Sequence, residues 1–380
     1  MTESARRAPE RRPLPRGTYR LGTVAGIDVT VASSWFIVVG LLAVLMAPRM
    51  QQELPEIGAG AYLAGVVFAI LLYGSILLHE ISHALAARGF GMPVTVIHLH
   101  FLGGATEIEG EATTPWREFS IAVVGPLTSL AVGGVSLLVI QVIEGGVTGY
   151  VVEALAIANL AVGVLNLVPG LPLDGGRVLQ SLVWAVTRRR SLGVVVAGWG
   201  GRLAAVLVMA YPFFLVTRGI SPTIIQYVFA FLIASFLWAG ATQALVTAKL
   251  RARLPTIQAR RLARPAIGVP ADLPLSEAIR RAQEAQAGSL VIVNGDGRPA
   301  GIVNEAAVVS TPDHRRPWLP TGDLARRLDD SLMLSADLVG EPLVNAMNRN
   351  PATEYVLVEA DGSVYGVLVT KDVDDAFRTG

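Results

Sequence analysis

Long apolar stretches separated by short polar loops occupy the first two-thirds of the chain. A helix crosses the bilayer core with about 20 apolar residues, and six stretches have about this length. An even number of spans puts both ends of the chain on one side, and arginine clusters near the predicted loops indicate that this side is the cytoplasm. The predicted spans are residues 31–47, 59–87, 119–143, 151–168, 194–216 and 223–246, with a shorter apolar segment at 178–186.

Residues 92–111 depart from this pattern, because apolar and polar side chains alternate loosely and Gly103-Gly104 interrupts them. This is typical of short strands or a re-entrant hairpin. Such backbone is tolerated at membrane depth only against protein or a wet cavity, and an exposed strand edge there could pair with an extended peptide. His98 and His100 share one face of this stretch. We favour interfacial polar roles for them, with extra metal ligands or substrate-lining groups as the alternative.

From about residue 253 the composition becomes that of a soluble protein, and two segments resemble each other. Residues 290–303 and 356–368 each contain a strand, an Asp-Gly turn and a second strand, which predicts a β-hairpin. Amphipathic helical stretches surround both hairpins, so the pattern indicates an internal repeat of one small α/β unit. We therefore predict a tail at residues 1–20, a membrane domain at 21–250, and a repeat domain at 251–380 with copies at about 255–312 and 325–380.

The amino-acid composition limits the class of protein and the kinds of active site that the chain can have. Only 16% of the residues are charged and 52% are hydrophobic, whereas soluble domains have about 25% charged residues. The net charge of +1 gives no indication of a nucleic-acid partner. The chain contains no cysteine, which excludes disulfides, thiolate zinc ligands and a cysteine nucleophile.

The basic N-terminal stretch lacks an immediately following signal-peptide pattern, and we expect it to be a disordered cytoplasmic tail. Its arginines are Arg6, Arg7, Arg11, Arg12, Arg16 and Arg20.

The most informative motif lies at the end of the second predicted span, where His79, Glu80 and His83 form H-E-x-x-H. Histidines four residues apart lie on the same helix face, and this spacing suits a zinc ion with the glutamate as general base. Ionisable side chains inside an apolar segment are rare and usually functional. We therefore favour a catalytic zinc site over a polar cluster that only bridges helices.

A catalytic zinc ion commonly has three protein ligands, and Asp174 is the leading candidate for the third. It lies within a segment, residues 166–176, whose prolines and glycines cannot continue a regular helix. The alternative is that Asp174 caps the helix that follows. The resulting hypothesis is metal-assisted hydrolysis of an amide bond in an unwound substrate segment. In that case the Asn166 amide could hold the loosened backbone, and the strands of residues 92–111 could pair with it.

The chain resembles the site-2 protease family of intramembrane zinc metalloproteases, in the branch with a C-terminal pair of CBS domains. The motifs are residues 79–83 and 166–176, with weaker similarity at 101–104 and at Gly125-Pro126. The resemblance implies one zinc ion per chain, with His79, His83 and Asp174 as ligands and Glu80 as the base. It also implies a bilayer location and a single-span membrane protein as substrate, often a regulator such as an anti-sigma factor. Substrate contacts are expected at Asn166, Pro169, Gly103 and Gly104.

CBS pairs in other proteins often bind adenine nucleotides, but this chain departs from their pattern. Asn304 and Ala307 replace the usual hydroxyl residue and aspartate in the first copy. The second copy keeps Asp372, and Thr370 is one position late. We therefore favour a structural or homodimerising role over nucleotide binding at Asp372 and Thr370. The predicted fold class is a polytopic α-helical membrane protein with about six transmembrane helices and a small β-hairpin or sheet, followed by a soluble α/β CBS-domain pair.

A transporter or channel gated by CBS domains is the alternative function. Six spans, broken helices and buried histidines would suit it, since histidines could bind a transported metal. A transport site, however, has no need of the glutamate inside H-E-x-x-H. The sequence therefore favours the protease.

Overall fold

The computed structural model describes residues 17–101 and 103–379. It divides into two compact units, the first ending at Val246 and the second beginning at Thr247. Arg6, Arg7, Arg11, Arg12 and Arg16 of the predicted tail lie outside the described residues.

Seven helices make up most of the membrane unit, and the last of them continues past its end. Among the described residues, six of these seven helices are long and apolar enough to cross a membrane, and the shorter exception is the fifth helix. This confirms the six predicted spans. The helices are α1 (Ser34–Glu53), α2 (Gly60–Gly89), α3 (Pro115–Ile140), α4 (Gly146–Asn166), α5 (Asp174–Thr187), α6 (Arg190–Thr217) and α7 (Ile224–Arg253).

Glycines let α3 and α4 pack closely. A Cβ atom at Gly133 of α3 would lie 2.7 Å from Leu160 Cγ of α4, and one at Gly163 of α4 would lie 2.7 Å from Leu130 Cγ of α3. Each helix thus offers a glycine to a leucine of the other, an arrangement that brings membrane helices into van der Waals contact. This fixes the position of α3, which lies next to the histidines of α2.

A four-stranded sheet accompanies the helices. Its strands are β1 (Thr18–Val24), β2 (Ile27–Ala32), β3 (Val94–His100) and β4 (Gly103–Ile108), in the order β1-β2-β3-β4. β2 and β3 are parallel, and the other two pairs are antiparallel. The strand pair predicted within residues 92–111 is confirmed as β3 and β4. A buried cluster that includes Ile27, Ala84, Ile97 and Ile121 packs the sheet against α2 and α3.

The hairpin formed by β1 and β2 was not expected. Residues 18–20, assigned to the tail, lie in β1, and α1 begins at Ser34 because residues 27–32 pair as a strand. Ala25 and Gly26 form the turn with φ values of 50° and 75°, as a two-residue hairpin turn requires. Arg20, which we grouped with the tail arginines, instead pairs with Asp28 across the hairpin at 3.0 Å. The arginine-rich composition obscured the alternation of this segment.

The C-terminal unit contains two hairpins in one seven-stranded sheet, with the order β8-β7-β6-β5-β11-β10-β9. The hairpins are β6–β7 and β10–β11, and β5 joins them by pairing with β6 and β11. This confirms the internal repeat. The strands are β5 (Arg264–Pro270), β6 (Ser289–Val293), β7 (Pro299–Val303), β8 (Ala325–Arg327), β9 (Met333–Ser335), β10 (Glu354–Val358) and β11 (Val364–Val369). The helices are α8 (Ala259–Leu262), α9 (Leu275–Glu284), α10 (Glu305–Ser310), α11 (Glu341–Arg349) and α12 (Thr370–Thr379).

Candidate active site

Three side chains of the types that bind metal ions, His79, His83 and Asp174, converge where α5 meets α2. His79 Nε2 lies 3.0 Å and His83 Nε2 lies 3.2 Å from Asp174 Oδ2, and the two imidazole nitrogens lie 3.1 Å apart. Ligand atoms placed tetrahedrally at zinc distances are about 3.3 Å apart. The observed spacing, the buried histidines and the donor set of two imidazoles and a carboxylate therefore fit a zinc ion.

Close approach of α3 holds the two imidazoles in place. A Cβ atom at Gly125 would lie 2.2 Å from His83 Nε2 and 2.6 Å from His79 Nε2. Only glycine leaves room for the rings at this position. The sequence left Gly125-Pro126 open between a simple kink and a role in the site, and the packing places Gly125 directly against the histidines.

Hydrogen bonds to α3 orient both rings. The His83 Nδ1–H donates to the Ile121 carbonyl oxygen at 2.6 Å, and His79 Nδ1 is hydrogen-bonded to Ser129 Oγ at 2.9 Å. Because a carbonyl can only accept, the Nδ1 of His83 carries the proton, and in a neutral ring its Nε2 presents a lone pair. Such second partners fix the tautomer and orientation of histidines that bind metals.

Asp174 is the first residue of α5, and its carboxyl group faces the histidines. The N-cap position belongs to Leu173, and no side chain caps this helix. Asp174 thus does not act as the N-cap that we had considered. The preceding loop is fixed by backbone contacts: Leu171 N–H donates to the Ala197 carbonyl at 3.0 Å, and a Cβ at Gly201 would lie 1.8 Å from Leu171 O.

Glu80 lies between α2 and β4. Its Oε2 accepts a hydrogen bond of 2.7 Å from Thr106 Oγ1, and a Cβ at Gly104 would lie 2.4 Å from Glu80 Cγ. Gly104 and Thr106 are two residues apart in β4, so both face the glutamate. Thr106 is not among the residues predicted for the site, although its position two residues after Gly104 in an alternating stretch is a signal that could have identified it.

The other sequence candidates lie around this cluster. His98 Nδ1 is hydrogen-bonded to Thr30 Oγ1 at 2.6 Å, and its Nε2 lies 3.6 Å from Glu107, while His100 accepts through its backbone oxygen from Tyr73 OH at 3.2 Å. The possible metal ligands grouped within the described residues do not include these histidines. Asn166 ends α4 with a half-buried side chain that makes no hydrogen bond to any described residue. The exposed Pro169 lies in the loop between α4 and α5, and Gly103 begins β4.

The two nucleotide candidates are engaged within the C-terminal unit. Asp372 accepts hydrogen bonds of 2.7 and 2.9 Å from Arg264, and these hold the pKa of Asp372 below its usual range. Thr370 Oγ1 donates to the Ala352 carbonyl at 2.6 Å. Both side chains therefore make internal contacts that a ribose would have to displace.

Comparison with known proteins gives consistent matches. Residues 67–147 and 141–210 match Peptidase family M50, and residues 259–312, the first repeat copy, match the CBS domain. The chain is 26% identical over 369 residues to "Putative zinc metalloprotease sll0528" of Synechocystis sp., covering 95% of both proteins. It is 36% identical over 204 residues to "Putative zinc metalloprotease Rip3" of Mycobacterium tuberculosis, covering 51% of each.

Among solved structures, the site-2 protease from Methanocaldococcus jannaschii is similar with a TM-score of 0.44 and 24% identity, over 60% of this chain and 95% of that one. The family matches and the full-length relative are the findings that identify the protein. These findings make the chain a zinc metallopeptidase whose membrane domain is of the site-2 protease type, with a match to Peptidase family M50 over residues 67–210 and a CBS domain in its C-terminal part.

Proposed function

We propose that this metalloprotease cleaves a single-span membrane protein within the bilayer, in regulated intramembrane proteolysis of a regulator such as an anti-sigma factor. The observation that carries the proposal is the convergence of His79, His83 and Asp174 beside Glu80. Buried ionisable groups in a membrane segment are costly unless they bind one another or a ligand. Here they combine a metal donor set with a carboxylate base.

In this proposal His79, His83 and Asp174 hold one zinc ion. When bound, zinc polarises a scissile carbonyl and lowers the pKa of a coordinated water molecule. Glu80 accepts a proton from the attacking water and donates it to the leaving amine. The hydroxyl of Thr106 hydrogen-bonds one carboxylate oxygen of Glu80 and so fixes the rotation of the base.

The substrate has to present an unwound segment, because the carbonyls of an intact helix are occupied and shielded. β4 is an edge strand of the described sheet, and an extended peptide could add to its free edge by backbone hydrogen bonds. Gly104 brings that edge against Glu80, and Gly103 begins the same strand. The amide of Asn166, which makes no hydrogen bond to any described residue, and the adjacent Pro169 would also bind the peptide.

We assign the residues before β1 to a cytoplasmic tail, the chain from β1 to residue 250 to the protease domain and residues 251–380 to tandem CBS domains. Both termini then lie in the cytoplasm, in agreement with the arginines that flank the spans. Cleavage would release the cytoplasmic part of the substrate as a signal. The CBS module would regulate the protease or join two chains as a homodimer.

The test compares membrane proteomes of cells that contain the native chain or the Glu80→Gln variant. We expect one single-span protein to accumulate with Glu80→Gln, while the purified variant still binds zinc. Glu153→Gln, at an exposed glutamate of α4, is the matched control and should leave the proteome unchanged. Identical proteomes with native chain and Glu80→Gln would contradict the protease, and altered metal transport without any cleavage product would favour a transporter.

A further inference from the structure

One partly buried ion pair has no part in the mechanism above. Glu118, in the first turn of α3, accepts a hydrogen bond of 2.9 Å from Arg177 Nε of α5. The Glu118 side chain is only 6% exposed and that of Arg177 is 30% exposed. Glu118 loses most of its hydration at this position, and an ion pair formed at such a cost is weak evidence for stability. A role other than stability therefore has to be considered for the pair.

The position of Arg177 relates the pair to the active site. Arg177 and Asp174 are three residues apart on α5, so their side chains lie on neighbouring positions of one helix face. A tether at Arg177 therefore limits rotation of α5 about its axis. That rotation would swing the Asp174 carboxyl group away from His79 and His83.

The other end of the pair lies on the helix that orients both histidines. Glu118, Ile121, Gly125 and Ser129 follow each other at helical spacing along one face of α3. Ile121 and Ser129 accept or share the hydrogen bonds of the imidazoles, and Gly125 makes room for the rings. Glu118 extends this face by one turn and reaches the helix that carries the aspartate.

We propose that the ion pair between Glu118 and Arg177 is a positioning device that sets the Asp174 carboxyl group at the metal site. The pair links the aspartate to the same face of α3 that holds the histidines, so one helix aligns all three ligands. This inference rests on the proposed role of His79, His83 and Asp174 as zinc ligands. The hydrogen bond of Glu118 and Arg177 joins them to each other and not to the three candidate ligands, so in this proposal they act only through the orientation of α5.

The experiment measures the zinc affinity of the purified full chain by competition with a chelator, together with its melting temperature. Glu118→Gln and Arg177→Gln should each weaken zinc binding about 10- to 100-fold, the usual effect of losing a group that orients a ligand. Arg177→Lys should weaken zinc binding less than Arg177→Gln does, because lysine keeps the positive charge opposite Glu118. Arg49→Gln, which breaks an exposed ion pair of 3.7 Å with Glu53 on α1, is the control and should leave zinc affinity unchanged.

A double variant separates positioning from general stability. Glu118→Leu combined with Arg177→Met replaces the pair by apolar groups of similar size, which often leaves stability equal or higher. We expect this variant to melt near the native temperature and to bind zinc at least tenfold more weakly. Native zinc affinity in this double variant would overturn the positioning role. If the double variant does not fold, native zinc affinity in Arg177→Gln would overturn it instead. A native chain that binds no zinc would instead contradict the proposed metal site.

Discussion

Replacing Gly125 by alanine adds one methyl group at the place where α3 meets the two histidines. The new Cβ would lie 2.2 Å from His83 Nε2 and 2.6 Å from His79 Nε2. Non-bonded heavy atoms need about 3.5 Å, so the imidazoles or the helix have to retreat by about 1 Å. A zinc–nitrogen bond is about 2.0 Å long, and the required shift is therefore half a coordination bond.

We expect Gly125→Ala to impair the site, although replacing glycine by alanine in a helix is ordinarily stabilising. Alanine in place of glycine within a helix usually stabilises a protein by about 0.5–1 kcal/mol. At Gly125 we expect zinc affinity to fall at least tenfold, by comparison with the loss of a group that orients a ligand. Cleavage should fall on the order of 100-fold, since a misplacement of about 1 Å at a reacting centre has this cost.

Gly134 provides the control on the same helix, because a Cβ there meets nothing within 4 Å. Gly134→Ala should keep native zinc affinity and melt at the native temperature or slightly above it. The assay is chelator competition on the purified chain, followed by cleavage of the protein that accumulates with Glu80→Gln. Native zinc affinity and full cleavage in Gly125→Ala would refute the packing on which the candidate site depends.

Three further predictions concern Glu80 and the C-terminal unit. Thr106→Val should lower the cleavage rate about 10- to 100-fold, because a hydrogen bond to a charged group is worth about 1.5–3 kcal/mol; unchanged cleavage at native zinc content would exclude the role of Thr106. Millimolar ATP or AMP should not raise the melting temperature, since Asp372 and Thr370 are hydrogen-bonded within the C-terminal unit. A nucleotide that did bind, at 100 times its Kd, would add about 2.7 kcal/mol to the free energy of unfolding and would raise the melting temperature measurably. The ion pair with Arg264 lowers the pKa of Asp372, so its stabilisation is present above the unfolded value of about 3.9 and is lost as the pH falls further. The protection of backbone amides in β5 and α12 against hydrogen exchange, measured relative to the intrinsic exchange rate at each pH, should therefore fall below about pH 4, and Arg264→Gln should remove this dependence.

Much of the candidate site could be predicted from the sequence, because its candidate ligands are unusual residues for the segments in which they lie. His79, Glu80 and His83 are ionisable groups in an apolar segment, and Asp174 follows a break that no regular helix tolerates. Each of these residues is unfavourable in a membrane without a partner. The span lengths were equally visible, since the bilayer sets them. The predicted ends of the spans differ from those of the helices by a few residues.

The residues that support the site were harder to recognise. Ser129 and Thr106 are small and polar, and such residues occur at many positions in membrane helices and strands without any role. Their function arises only when another element brings a histidine or glutamate to them. Gly125 was noticed, but glycine before proline suits a kink as well as a close contact. Local sequence does not distinguish these cases, because the distinguishing contact comes from α2.

Glu118 and Arg177 differ from these supporting residues because both are ionisable. Ionisable residues in apolar segments are usually functional, and this rule, which identified Glu80, applies to them as well. They escaped notice because of two predicted boundaries. The predicted third span begins at residue 119 and so excludes Glu118, whereas α3 starts at Pro115 after the cap residue Thr114. Arg177 fell between the broken segment ending at 176 and the apolar segment beginning at 178. Boundaries are the least certain part of such predictions, and a charge within one helical turn of a predicted span therefore has to be judged as if it were inside.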